Sequence, residues 1–174
     1  MARVLIVCTA NRGRSPIAEA ILRRMLAERG LGDRVTVESA GLCAYELDLA
    51  GQPANPASAA VAAKHGLDLN RHVVRPVTRS LVEASDLVIV METWQTKVLR
   101  AVFRGPTPTI VTLRELAGVT DDSDTPDIAG SPPEAIEQYL VEAEQCLGAG
   151  LRAGPLARLA SGHLAPASAH DASP

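Results

Sequence analysis

Val4-Leu5-Ile6-Val7-Cys8 runs directly into Thr9-Ala10-Asn11-Arg12-Gly13-Arg14, and Ser15-Pro16-Ile17-Ala18-Glu19-Ala20-Ile21-Leu22 follows at once. Continuous apolar residues read as a strand buried on both faces, which belongs to a parallel sheet covered by helices. The following segment has helical spacing and starts with a serine N-cap and a proline at the first helical position. Only a short loop separates the two. A strand, tight loop and helix in this order restrict the chain to α/β architectures. They also turn the loop's backbone N–H groups toward a helix N-terminus, which makes an anion site. A thiol at that point has its anionic form stabilised by the amides and the helix dipole. Arg14 closes the loop with a planar fork that matches a tetrahedral oxyanion. Nucleophile, cradle and clamp therefore occupy one stretch, with Cys8 as the attacking group and residues Thr9, Ala10, Asn11, Arg12, Gly13, Arg14 and Ser15 around the anion.

The rest of the chain repeats the alternation. Strands are expected at 3–8, 34–39, 86–91 and 109–112, and helices at 15–29, 56–64, 78–84, 92–102 and 134–147. This predicts a three-layer α/β fold, a four-stranded parallel sheet flanked by helices with right-handed crossovers. Ligands in such sheets bind beyond the carboxyl ends of the strands, where Cys8 lies. Residues 1–150 form one domain in this reading. After residue 150 the composition shifts to Gly, Ala, Pro and Ser, and residues 151–174 are expected to be a disordered tail. His163 and His170 in that tail receive no role.

Composition closes off several classes. The net charge of −3 gives no general argument for nucleic-acid binding, and no apolar run approaches membrane-spanning length. Met1 to Ala10 imitates a signal peptide, but Asn11, Arg12 and Arg14 interrupt it. Three cysteines, Cys8, Cys43 and Cys146, lack the even count and spacing of a disulfide framework, and no Cys/His cluster suggests zinc. No metal or other cofactor is expected. A reactive thiolate survives in a reducing compartment, so a cytoplasmic location is expected.

The segment from Val4 to Glu19 resembles the N-terminal signature of the low-molecular-weight protein tyrosine phosphatases. Ser39-Ala40-Gly41, Gly51-Gln52-Pro53-Ala54-Asn55-Pro56, His65-Gly66-Leu67-Asp68, His72-Val73-Val74-Arg75, Ala84 to Met91 and Asp124-Thr125-Pro126-Asp127 continue the resemblance to about residue 150. It implies a phosphatase for protein phosphotyrosine that works through a phosphocysteine, with Asp127 as general acid; the other aspartates of residues 119–131, Asp121, Asp122 and Asp124, are expected to be solvated. It also implies that Asn11, Ser15, Ser39 and His72 form a supporting hydrogen-bond network. Asn11 suits this place because asparagine tolerates left-handed backbone. The implied partner is a phosphotyrosine-containing protein, for bacterial members often a tyrosine kinase of polysaccharide export.

The chain departs from the family pattern at defined positions. Ala10 replaces a usual glycine, so positive φ must be avoided there. Gly13 replaces the cysteine that can pair with the nucleophile, leaving Cys43 as a substitute. Ile128 replaces a usual proline after the acid, which predicts a less rigid acid loop. Arg12 replaces a small or aliphatic residue, and is either solvent-pointing or a second cation favouring acidic substrates. Tyr45 and Leu47 are the candidate walls for a substrate ring, while Trp94 is expected to pack at a helix start. Three alternatives stand beside the tyrosine phosphatase. A protein-arginine phosphatase is disfavoured by a cation at position 12. A thioredoxin-coupled arsenate reductase lacks its cysteines between Glu83 and Glu92. A non-catalytic phosphate-binding module would not need all of Cys8, Arg14 and an acid.

Overall fold

The computed structural model describes residues 1–103 and 108–162. Four strands, β1 (Ala2–Cys8), β2 (Val35–Gly41), β3 (Leu87–Val90) and β4 (Thr109–Thr112), form one parallel sheet in the order β2-β1-β3-β4. The helices are α1 (Arg14–Glu28), α2 (Pro56–Lys64), α3 (Arg79–Glu83), α4 (Thr93–Val102), α5 (Pro133–Arg152) and α6 (Gly154–Ala160), with a 3-10 turn at Arg114–Ala117. This is the expected four-stranded α/β fold.

The apolar strands feed two cores because successive side chains point to opposite faces. Val4, Ile6, Leu87 and Ile89 face a large core with Ile17, Ile21 and Leu22 of α1 and Ile136, Leu140 and Leu147 of α5. Leu5, Val7, Val88 and Val90 face a smaller one with Val82 of α3 and Leu99 of α4. Three layers result, and with one Phe and one Trp in the chain, aliphatic residues fill both cores. In register, Cys8 pairs with Gly41, so the loop after β1 and the loop after β2 leave the same edge together.

Three expectations need correction. The chain from 151 onward is not wholly a tail: α5 runs to Arg152, and α6 buries Leu156, Leu159 and Ala160. Its leucines lie three residues apart on one face and pack into the large core. Composition alone hid this short stripe among Gly, Ala and Pro. Residues 163–174, with His163 and His170, lie outside the described residues. Ser15 is not the N-cap of α1, because the helix begins one residue earlier, at Arg14, with Gly13 at the cap and no side-chain cap bond. Its hydroxyl is used elsewhere. Finally, Asp124 is more than a solvated acid, since its carboxylate accepts from Thr93 N (2.6 Å) at the start of α4.

Candidate active site

Cys8 ends β1 with 3% exposure. Its Sγ accepts from Asn11 N at 3.2 Å and lies 3.0 Å from Ser15 Oγ. The direction of the second bond follows from its surroundings. Asn11 Nδ2 donates to Ser15 Oγ (3.0 Å) and to Ser39 Oγ (2.9 Å), which leaves the Ser15 O–H to donate to sulfur. Ser39 in turn donates to Glu19 Oε2 at 2.5 Å. A relay of fully used hydroxyls and one amide thus aims donors at the sulfur.

The loop is pinned by its own backbone geometry. Asn11 has φ 56°, the left-handed region, and is wholly buried. Its side-chain Oδ1 accepts from Arg75 N (3.1 Å), and its carbonyl accepts from His72 Nε2–H (2.7 Å). Ala10 avoids positive φ. Gly41 meets the loop so closely that a Cβ there would lie 2.9 Å from Ala10 C and 3.0 Å from Asn11 N. The Arg12 carbonyl accepts from Asn55 N (2.8 Å), and the Asn55 side chain caps α2. Ile17 N bonds the Gly13 carbonyl (3.2 Å), while the amides of Arg12 to Ser15 have no protein acceptor among the described residues. Free amides at a helix start are the donors a bound oxyanion uses.

Arg14 is 2% exposed. Its Nη1 donates to Glu92 Oε1 (2.7 Å) and to the Thr125 carbonyl (2.9 Å). Its Nη2 reaches Thr9 Oγ1 (3.3 Å) and Asp127 Oδ1 (3.2 Å). Burial pulls this guanidinium down, but Cys8, Asp127 and Glu92 outweigh it, so the group is held above its ordinary value and stays charged. Asp127 itself is well exposed at its side chain, and its Oδ1 also takes Ile128 N (2.8 Å) and Ala129 N (3.3 Å). Oδ2 is the oxygen left open. Strand β1, helix α1, the end of β3 and the loop before α5 therefore place a thiol, a fixed cation and a carboxyl around one small volume.

A family model described as low molecular weight phosphotyrosine protein phosphatase matches residues 3–147. The chain belongs to this family. Membership makes it a phosphoric monoester hydrolase of the protein-tyrosine-phosphatase class. It is 37% identical over 113 residues to the probable low molecular weight protein-tyrosine-phosphatase EpsP of Ralstonia solanacearum, covering 65% of this chain and 71% of that one. Among solved structures, Vibrio vulnificus Wzb in complex with benzylphosphonate matches with TM-score 0.77 and 25% identity, over 87% of this chain and 97% of that one. The YwlE arginine phosphatase, as a cysteine-to-serine mutant with a phosphorylated active-site serine, matches with TM-score 0.76 and 29% identity, over 90% of this chain and 99% of that one.

Within this phosphatase fold the sequence-derived residues fall into two groups. Cys8, Asn11, Arg14, Ser15, Ser39, His72 and Asp127 come together in the network above. Tyr45 and Leu47 stand outside that network, 78% and 51% exposed on the loop after β2. Arg12 is half-buried, and its Nε donates to the Pro53 carbonyl (3.2 Å), so it is tethered rather than free in solvent. Cys43 stands beside the catalytic loop through Cys43 N to Thr9 O (2.8 Å), and burial followed by Glu46 raises its thiol.

Four contributors escaped sequence reasoning. Glu92 anchors Arg14 and also accepts from Trp94 Nε1 (2.8 Å), which ties that indole to the site. Gln95 receives Met91 N (2.9 Å) and Glu92 N (3.2 Å) and donates to Thr9 Oγ1 (3.3 Å). The Thr125 backbone bridges Met91 O (2.7 Å) and Arg14. Tyr139 of α5, fully buried, donates to the Arg14 carbonyl at 2.7 Å. An acid just after an apolar strand and a tyrosine in an otherwise aliphatic helix were the available signals. Neither points to Arg14 without the fold.

Proposed function

We propose that this chain hydrolyses protein phosphotyrosine through a covalent phosphocysteine, with Cys8 as nucleophile, Arg14 as phosphate clamp and Asp127 as general acid. The observation that carries this is the convergence on one loop: Ser15 and Asn11 aim hydrogen bonds at Cys8 Sγ, while Arg14 bridges toward Asp127 at 3.2 Å. In the first step the Cys8 thiolate attacks phosphorus in line. The S–P bond forms, the P–O bond to the phenol breaks, and the proton on Asp127 Oδ2 goes to the leaving oxygen. The guanidinium of Arg14 and the free amides of residues 12 to 15 hold the equatorial oxygens. In the second step water attacks phosphorus, the S–P bond breaks, Asp127 takes the water's proton, and phosphate and the thiolate are released. The Ser15 hydroxyl, already bonded to sulfur, eases that departure. The YwlE structure with a phosphoryl group on its active-site serine supports such an intermediate by likeness.

Likeness to the YwlE arginine phosphatase also favours a second reading, a phosphoarginine substrate. Arg12 weighs against it, because a phosphoguanidinium would bring a third cation to a loop that already holds two arginines. The partner in this reading is a phosphotyrosine protein, a bacterial tyrosine kinase being the implied candidate, and the need of a reactive thiol for a reducing compartment supports a cytoplasmic location. No helix among the described residues is long and apolar enough to cross a membrane. Phosphate release from phosphotyrosine and phosphoarginine peptides, each with Cys8→Ser and Asp127→Asn beside the native protein, tests the assignment. Cys8-dependent release from phosphotyrosine is expected. Preference for phosphoarginine would overturn the substrate, and anion binding without turnover would overturn catalysis.

A further inference from the structure

Two positions where this chain departs from the family pattern, Gly13 and Ile128, are far apart in sequence and touch in the fold. Ile128 follows Asp127, where a proline would fix φ and stiffen the loop. Isoleucine cannot do that covalently. Its side chain instead turns inward to 7% exposure and joins the large core, although Asp127, Ala129 and Gly130 around it are exposed.

The space it enters is the one Gly13 leaves open. Gly13 has φ −133°, outside the left-handed region that favours glycine. A Cβ there would lie 3.2 Å from Ile128 Cδ1, 3.4 Å from Ile128 Cγ1 and 3.1 Å from Ser58 Oγ. The glycine supplies room, and the tip of Ile128 fills it. The same Ile128 donates its amide to Asp127 Oδ1 at 2.8 Å, and the same Asp127 oxygen meets Arg14. Upstream the loop is pinned by Thr125 N to Met91 O (2.7 Å), and downstream Ser131 N closes a local turn on Ile128 O (3.2 Å). At the start of that turn, Ile128 is the apolar anchor that faces the phosphate-binding loop.

We propose that Ile128, seated in the space left by Gly13, is the positioning residue that holds the Asp127 carboxyl over the catalytic loop, replacing the rigidity a proline would give. This rests on the reading of Asp127 as general acid. An acid held in place matters most when the leaving group is poor, as tyrosine's phenol is, with a pKa of about 10. An activated leaving group such as p-nitrophenolate departs with little help. Loss of positioning therefore shows as a leaving-group dependence, which loss of stability alone does not create.

The experiment compares kcat/KM on phenyl phosphate and p-nitrophenyl phosphate for the native enzyme, Asp127→Asn, Ile128→Ala, Gly13→Ala and the double variant Gly13→Ala with Ile128→Val. Ile128→Ala is expected to lose on the order of tenfold on phenyl phosphate and no more than about threefold on the nitrophenyl ester. Gly13→Ala pushes on the same contact from the other side and should show the same bias. Adding Ile128→Val removes the Cδ1 atom that the new methyl meets, and should restore part of the phenyl phosphate rate. If Asp127→Asn shows the bias but Ile128→Ala and Gly13→Ala lose equally on both esters, the positioning role is overturned alone. Equal losses on both esters in Asp127→Asn overturn the acid assignment and the positioning role together. A double variant no better than Gly13→Ala alone also overturns the role. Should Ile128→Ala fail to fold, Gly13→Ala and its double variant still decide the matter.

Discussion

Glu92 offers the sharpest test of how the phosphate clamp is held. Coulomb's law and positioning predict opposite effects of removing its charge. On charge alone, Glu92→Gln frees the field of Arg14 and should tighten binding of an anion. On positioning, the Glu92 contact at 2.7 Å fixes one end of a fork whose other end faces Thr9 and Asp127, and a looser fork binds less well. Arg14 is 2% exposed and, among the described residues, its Nη1 bonds only Glu92 and the Thr125 carbonyl, so geometry should win. The glutamine keeps shape and an acceptor but exchanges a charged partner for a neutral one, a difference of about 1–2 kcal/mol. A loss of about five- to thirtyfold in kcat/KM on a phosphotyrosine peptide should follow if that energy is lost from the transition state. Inhibition by inorganic phosphate should weaken in parallel. Glu92→Ala removes the partner outright and strands the Trp94 indole as well. Breaking a buried pair costs about 3–5 kcal/mol. The Glu92 side chain is 23% exposed, so water recovers part, and a loss near the low end, about 3 kcal/mol, is expected. Melting should fall by about 6–12 °C for a domain of this size. Glu92→Gln that binds phosphate more tightly at undiminished turnover would refute the positioning argument and leave Glu92 a mere countercharge.

Other perturbations follow from single contacts. Thr125 is 1% exposed and its Oγ1 has no hydrogen-bond partner among the described residues, so Thr125→Val should gain about 1–2 kcal/mol and raise the melting temperature by about 3–6 °C. A lowered melting temperature would show that the hydroxyl is used. Gly41→Ala would put a methyl 2.8 Å from Ala44 Cβ as well as against the backbone of Ala10 and Asn11, so a stability loss of about 1–3 kcal/mol and a reduced kcat/KM are expected in denaturant titration and peptide turnover. Native-like values in both would mean that the loop can yield there. Burial, with Glu142 second, pushes the Cys146 thiol from its ordinary 9.0 up to about 11. Its contribution is intact below pH 9.0 and lost toward pH 11, because the unfolded chain releases a proton that the folded one keeps, about 1.4 kcal/mol per pH unit. Burial and then Cys8 raise Tyr139 well above its ordinary 10.0, which adds to the fall above that pH. Urea unfolding of the native protein and of Cys146→Ala between about pH 8 and 10 should give a flatter dependence in the variant; identical slopes would exclude Cys146 as a source.

Much was written locally, and locality is the reason it could be read. The apolar run before Cys8, the loop with its asparagine and arginine, and the helix after Pro16 set up strand, anion loop and helix within one stretch, where spacing along the chain equals placement in space. Asn11 in the left-handed region is a demand of the turn itself. Composition likewise separated the strands from α2, because a continuous apolar run and an Ala-rich segment favour different elements. What the sequence could not determine was decided by elements that meet only after folding. Glu92 and Tyr139 reach Arg14 across 78 and 125 residues, and their identities say nothing of that partner until β3 and α5 flank α1. Helix α6 stays hidden in a Gly, Ala and Pro background until the core offers its two leucines a place. Gly13 and Ile128 each look like a simple departure from pattern when taken alone. Side-chain volume is shared between neighbours in space, so only the tertiary structure could turn the two into one contact.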